Sequence, residues 1–144
     1  IFITCMTWIA TQAAENKPID VVNQWMNSCS QLDIDGMTST YFKDSSSFLT
    51  IHRELVIGQT GVSDYLRNAT AAMDPTTMEC QFTPYTNIQN SEQQATIAGW
   101  DKITGKIDGE AFANEGRTSF ILNKRKGIWK ISHFHRSPLP TIKE

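Results

Sequence analysis

A chain of 144 residues, 40% of them hydrophobic and 19% charged, fits one globular domain long enough to bury a core without help from disulfides or metals. The formal net charge of −2 supplies no field for nucleic acid. The one basic cluster, Lys124-Arg125-Lys126, precedes Gly127 and reads as a solvated hairpin turn. No nucleic-acid partner, membrane span, metal or cofactor is expected.

Residues Ile1 to Ala10 are apolar and uncharged and run into Thr11-Gln12-Ala13-Ala14-Glu15. Too short for a membrane span and followed by small residues, the stretch 1–14 resembles the end of a secretory signal peptide. The other reading is an N-terminal extension that packs on the domain or on a neighbouring subunit. The first reading places the protein in the periplasm or outside the cell, the second in the cytoplasm. Export would allow Cys29 and Cys80 to pair, but the place of Cys29 on an apolar helix face favours two buried free thiols.

From Pro18, the residues Val22, Trp25, Met26, Cys29 and Leu32 recur at helical spacing and predict an amphipathic helix. Asp33-Ile34-Asp35-Gly36 reads as its break, and a short helix follows over Met37 to Phe42. Lys43 to Ser46 then turns the chain into a strand over Ser47 to Ile51. His52 to Gln59 reads as a loop or short strand. Thr60 is expected to cap a helix with Val62, Tyr65, Leu66 and Ala69 as its apolar stripe, ending before Asp74-Pro75. Asn68-Ala69-Thr70 has the form of a glycosylation sequon.

From about residue 77 the apolar period becomes two, with strands expected near 78–89, 93–105, 111–123 and 128–136. Asp108-Gly109 and Lys126-Gly127 mark the turns. Helices followed by an antiparallel meander predict an α+β domain over 18–140 with its helices on one face of the sheet. In the last strand, strict alternation groups Trp129, Ile131, His133 and His135 on one face. Lys130, Ser132, Phe134 and Arg136 fall on the other. The two histidines could chelate a metal, but with no carboxylate beside them no metal site is expected.

Three stretches carry a family resemblance: Leu32-Asp33-Ile34-Asp35-Gly36 ahead of Tyr41-Phe42-Lys43-Asp44-Ser45, then Gly58 to Leu66, and finally Gly127 to Ser137. In their order and spacing they resemble the nuclear transport factor 2-like superfamily, which includes SnoaL-like proteins and steroid delta-isomerases. The resemblance implies a cone-shaped α+β fold, N-terminal helices packed on a curved antiparallel sheet, with a ligand cavity between them. The last stretch is also similar to the end of the calcium/calmodulin-dependent protein kinase II association domain, a self-assembling hub. That similarity implies that Arg136 lies in the pocket. The hub's other pocket arginine falls near Phe120, and Arg117 could replace it only if a bulge changes the register.

Steroid isomerisation needs a carboxylate base beside an oxyanion hole built from a tyrosine and a protonated acid. The stretch around Thr50, where the base belongs, is not acidic, and Trp25 stands near the tyrosine position. That mechanism is therefore not expected unless His52 or Asp101 has become the base. Asp101, inside the apolar run Ala95 to Ile103, can act as a base or pair with Arg136 or Arg117, and pairing is the commoner outcome. His52 and Arg53 are expected at the mouth of the cone, where one titrates near neutrality and the other is a fixed cation.

Tyr41, Tyr65, Trp25 and Trp100 are expected to line or cap the cavity or to belong to the plain core. His133 and His135 are candidates for ligand contact, for hydrogen bonding across the sheet or for an oligomer interface. The leading expectation is a self-associating domain, at least a homodimer through its open sheet, that binds a small, partly apolar molecule, with an inward Arg136 favouring an anionic one such as a carboxylate. An acid–base enzyme of isomerase, cyclase or dehydratase type using His52 or Asp101 is the first alternative. A purely structural oligomerisation module is the second.

Overall fold

The computed structural model describes residues 15–44, 48–51 and 54–140. Among these residues the helices are α1 (Pro18–Ser30), α2 (Ile34–Ser39) and α3 (Gly58–Ala69). The strands are β1 (Phe48–Ile51), β2 (Glu54–Ile57), β3 (Glu79–Ser91), β4 (Gln94–Ile107), β5 (Glu110–Arg125) and β6 (Ile128–Pro138). They form one open sheet in the order β2-β1-β6-β5-β4-β3. Every pairing is antiparallel except β1 with β6. The helices come first and the antiparallel meander follows, so the α+β architecture is the one expected.

Pro18 opens α1, where its missing N–H costs nothing, and Val21, Val22, Trp25, Met26 and Cys29 form the buried face. The expected break after α1 is instead the start of α2: Asp33 accepts a hydrogen bond from the backbone N–H of Gly36 at 2.9 Å and caps a helix that begins at Ile34. The second helix therefore lies a turn earlier than Met37 to Phe42. Likewise α3 starts at Gly58, so Thr60 sits inside the helix rather than capping it. Within His52 to Gln59, where a loop or short strand is expected, lies β2, and α3 already begins at Gly58.

Cys29 and Cys80 form a disulfide, with their Cα atoms 5.9 Å apart, which corrects the expectation of two free thiols. Burial and helical spacing describe Cys29 alone; only the register of β3 against α1 brings Cys80 to it. The adjacent Ser30 hydroxyl accepts from the Cys80 N–H at 2.9 Å, so α1 is fastened to β3 twice.

The inner face of the sheet packs on the helices through an aromatic cluster. Trp25 stacks on Phe134 at 5.1 Å and meets Phe120 edge-on at 6.1 Å, and Phe82 meets Phe120 edge-on at 5.5 Å. Rings this large stabilise by roughly 1.5–3 kcal/mol each when fully buried, and Phe120 and Phe134 are buried.

Strict alternation fails in β6. Ile121 pairs with His133 but Leu122 pairs with Ile131, which leaves Ser132 as the extra residue of a β-bulge. The Ser132 hydroxyl donates to the Ile121 carbonyl at 3.1 Å, and the Ile131 N–H donates to the Thr40 carbonyl at 2.8 Å. Trp129 and Ile131 consequently share the buried inner face with Phe134 and Arg136, while His133 and His135 turn to the half-exposed outer face. This corrects the grouping of the two histidines with Trp129 and Ile131. The basic turn is also more than solvated charge: Arg125 donates to Asp44 at 2.6 Å and lies 3.9 Å from the Phe42 ring.

Candidate functional site

Between the helices and the inner face of the sheet lies a cavity of about 240 Å³. Helix α1 contributes Trp25 and Cys29, α3 contributes Tyr65 and Leu66, and the segment leading into β3 contributes Met73 and Met78. The sheet supplies Phe112, Asn114, Phe134 and Arg136. Such a wall, mostly apolar with a few polar groups at one place, suits a small apolar ligand.

The polar end is built by facing strands. Arg136 of β6 is opposite Thr118 of β5, and Asp101 of β4 is opposite Gly116 of β5, which puts all four side-chain positions on the inner face. Arg136 Nε donates to Asp101 Oδ1 at 2.8 Å, and Nη2 donates to the same oxygen. The other carboxylate oxygen accepts from the Thr118 hydroxyl at 2.6 Å. Arg136 Nη2 also donates to Asn114 Oδ1 at 3.0 Å. The side chains of Arg136 and Asp101 are 5% and 2% exposed, so each charge survives burial only because the other is present.

Gly116 makes room for this pair. A Cβ there would stand 2.9 Å from Asp101 Oδ2 and 3.0 Å from Arg136 Cζ. The strand parity that places Asn114, Gly116 and Thr118 inward is the same parity that buries Phe120.

The expected site residues separate into groups. Arg136 and Tyr65 line the cavity. Burial raises the Tyr65 hydroxyl pKa above its usual value and Glu54 adds to the rise, while Arg136 opposes it, so near neutrality the group is a hydrogen-bond donor. Asp101 is bonded to Arg136, the pairing that outranks a catalytic role in the sequence reading, and both of its oxygens are already accepting hydrogen bonds.

Arg117 and Trp100 are not in the cavity, which corrects their expected place. They lie together on the outer face, with the guanidinium 5.5 Å from the indole ring and the Tyr85 ring 6.1 Å from it. The bulge in this pairing is in β6, at Ser132 facing Ile121 and Leu122, so β5 keeps its alternation and Arg117 stays opposite Ser137 on the outer face.

His133 and His135 are on the same outer face, their rings 6.3 Å apart, with His135 Nε2 3.0 Å from the Ser137 hydroxyl. Partial burial lowers the His133 pKa, and His135 lowers it further. Tyr41 is fully buried and is not part of the cavity wall, again unlike the expectation. Burial raises its hydroxyl pKa and the Trp25 indole acts against that rise, yet among the described residues neither the Tyr41 hydroxyl nor the Trp25 N–H closes a hydrogen bond. His52 and Arg53 lie outside the described residues. No cluster of three or more metal-ligating side chains occurs among the described residues.

The model of the SnoaL-like domain matches residues 19–141, the stretch that holds both the helices and the sheet just described. The chain belongs to the SnoaL-like family. Its fold is the nuclear transport factor 2-like fold that the three marker stretches implied. No curated protein matches the chain.

Several solved structures share this SnoaL-like architecture. A ketosteroid isomerase-like protein from Erwinia carotovora atroseptica is 15% identical, with a TM-score of 0.72 over 86% of this chain and 95% of the other. A protein from Xanthomonas campestris, provisionally assigned as a calcium/calmodulin dependent protein kinase II association domain, is 19% identical, with a TM-score of 0.71 over 86% of each chain. A hexachlorocyclohexane dehydrochlorinase is 16% identical, with a TM-score of 0.70 over 86% of this chain and 87% of the other. At these identities the likeness establishes the fold alone, and the fold hosts both binding proteins and enzymes.

The sequence reading of this SnoaL-like chain missed Asn114, Gly116 and Thr118. Their signal was present: polar or small residues at inward positions of β5, a strand whose next inward residue, Phe120, is wholly buried.

Proposed function

We propose that this SnoaL-like domain binds a small, partly apolar molecule in the cavity between its helices and sheet, and associates with itself through the outer face of the sheet. The observation that carries the binding reading is the cavity of about 240 Å³, apolar along most of its wall and polar where Asn114 and Arg136 meet. Self-association is supported by the exposed aromatic surface of Trp100 and Tyr85 on a sheet face that no helix among the described residues covers. The Cys29–Cys80 disulfide supports residence in an oxidising compartment, the periplasm or the exterior.

Acid–base catalysis finds less support. Among the described residues the cavity wall has no Asp, Glu or His, and Asp101 has both oxygens engaged. That alternative therefore rests on His52.

Titration of the full chain with toluene and with acetophenone, followed through the Trp25 indole N–H resonance, tests the cavity. A saturable shift is expected, and a resonance that neither compound moves at its saturation in water would defeat the binding reading. Light scattering tests assembly, with a dimer or larger species expected and a strict monomer counting against it. No helix among the described residues is long and apolar enough to cross a membrane.

A further inference from the structure

Arg136 is the group that would make this cavity an anion site, and its surroundings remove that property. Its Nε and Nη2 donors go to Asp101 and Asn114, and Nη1 has no hydrogen bond among the described residues. Asn114 accepts from Arg136 through Oδ1 and keeps its Nδ2 as a donor. The polar end of the cavity therefore offers N–H donors whose positive charge is already balanced by a fixed, buried carboxylate.

A carboxylate ligand entering here would lose its hydration and gain little net attraction from a neutralised arginine. A carbonyl or ether oxygen loses far less on entry and meets the same donors. Asp101 cannot easily withdraw to release the arginine. Thr118 holds its second oxygen at 2.6 Å, and the space that a side chain at position 116 would occupy is already taken by the pair.

Building on the cavity-binding reading above, we infer that the cavity selects uncharged apolar molecules carrying a hydrogen-bond acceptor such as a ketone or ester carbonyl, and that Asp101 sets this preference through Arg136. Asp101 is not part of the cavity wall, so it is a positioning residue and touches no ligand.

The test is a titration of the full chain with three probes of similar skeleton, toluene, acetophenone and benzoate, followed by the Trp25 indole N–H resonance and by isothermal calorimetry. Acetophenone is expected to bind about tenfold or more tightly than benzoate, a gap of one decade in Kd. If benzoate binds as tightly as acetophenone, the inference is overturned while the cavity reading stands. If none of the three shifts the resonance, both fall.

Asp101→Asn is expected to reverse the order, raising benzoate affinity about tenfold, because the arginine regains its charge. A reduced stability without that reversal would mark Asp101 as purely structural and overturn its assigned role. Should that variant fail to fold, the neutral pair Asp101→Asn with Arg136→Gln decides the matter. Unchanged benzoate binding is expected, and a tenfold drop would show that Arg136 acts as a net cation in the native protein and overturn the inference.

Discussion

On the inner face of the sheet Arg136 is 5% exposed, and its guanidinium is gripped by Asp101 and Asn114. On the outer face Arg117, one position along from the residue paired with Arg136, lies over Trp100 in solvent and has no such grip among the described residues. The same side chain thus has two physical roles separated by the thickness of one strand. Inside, a charge is tolerated only with a partner of opposite sign at hydrogen-bond distance. Outside, water screens it, and the aliphatic stem and flat guanidinium serve to cover an aromatic ring.

The contrast is most sharply broken by removing one member of the inner pair. Arg136→Met leaves Asp101 buried without its cation and is expected to cost about 3–5 kcal/mol in urea denaturation, against no more than about 0.5 kcal/mol for Arg117→Met. Equal losses at the two positions would end the distinction between the faces. Next in size is the fastening of α1 to β3. Replacing Cys29 and Cys80 by alanine is expected to lower stability by about 2–4 kcal/mol, and thermal melts that do not move would show the bond to be dispensable.

Gly116→Ala crowds the inner pair and is expected to cost about 1–3 kcal/mol. Its outer neighbour Arg117→Ala creates no clash and serves as the matched control. Trp100→Ala is expected to change the stability of the single chain by about 0.5 kcal/mol or less, since the indole is exposed. Its effect is expected instead in sedimentation, as a shift toward monomer.

The smallest expected effect is a titration on the outer face. Because the folded state lowers the His133 pKa below the unfolded value of 6.5, its contribution is full above that pH and fades as the pH falls through the lower folded value. Chemical denaturation between pH 7 and pH 5 should therefore show declining stability. His133→Gln should flatten part of that slope, and an identical slope in the variant would remove this histidine from the account.

Much of the frame was legible in the sequence because it rests on local rules. Helical spacing from Pro18 to Cys29 produced α1, and the paired turn signals at Asp108-Gly109 and Lys126-Gly127 delimited the long strands. The boundary errors were local too. Asp33 reads equally well as a helix breaker and as a cap, and only the bond it accepts from Gly36 distinguishes them.

The candidate site was half legible. Arg136 and Asp101 stood out as charges inside apolar runs, and Tyr65 as part of a helical stripe. Asn114 and Thr118 did not, because a polar residue in a strand is unremarkable until its face is known. Arg117, Trp100 and the histidine pair were assigned by type rather than by face.

By itself the sequence determined which residues alternate, which recur at helical spacing and where the chain turns, since each depends on near neighbours and backbone sterics. Only the tertiary structure decided which face each residue joins and which distant residue it meets. The bulge at Ser132 shows the reason: its extra residue is stabilised by the Ile121 carbonyl from the neighbouring strand. The backbone hydrogen bond from Ile131 to Thr40 is another contact from far away in sequence. Those contacts exchange the inner and outer roles on one side of Ser132, and no count along β6 alone could supply them.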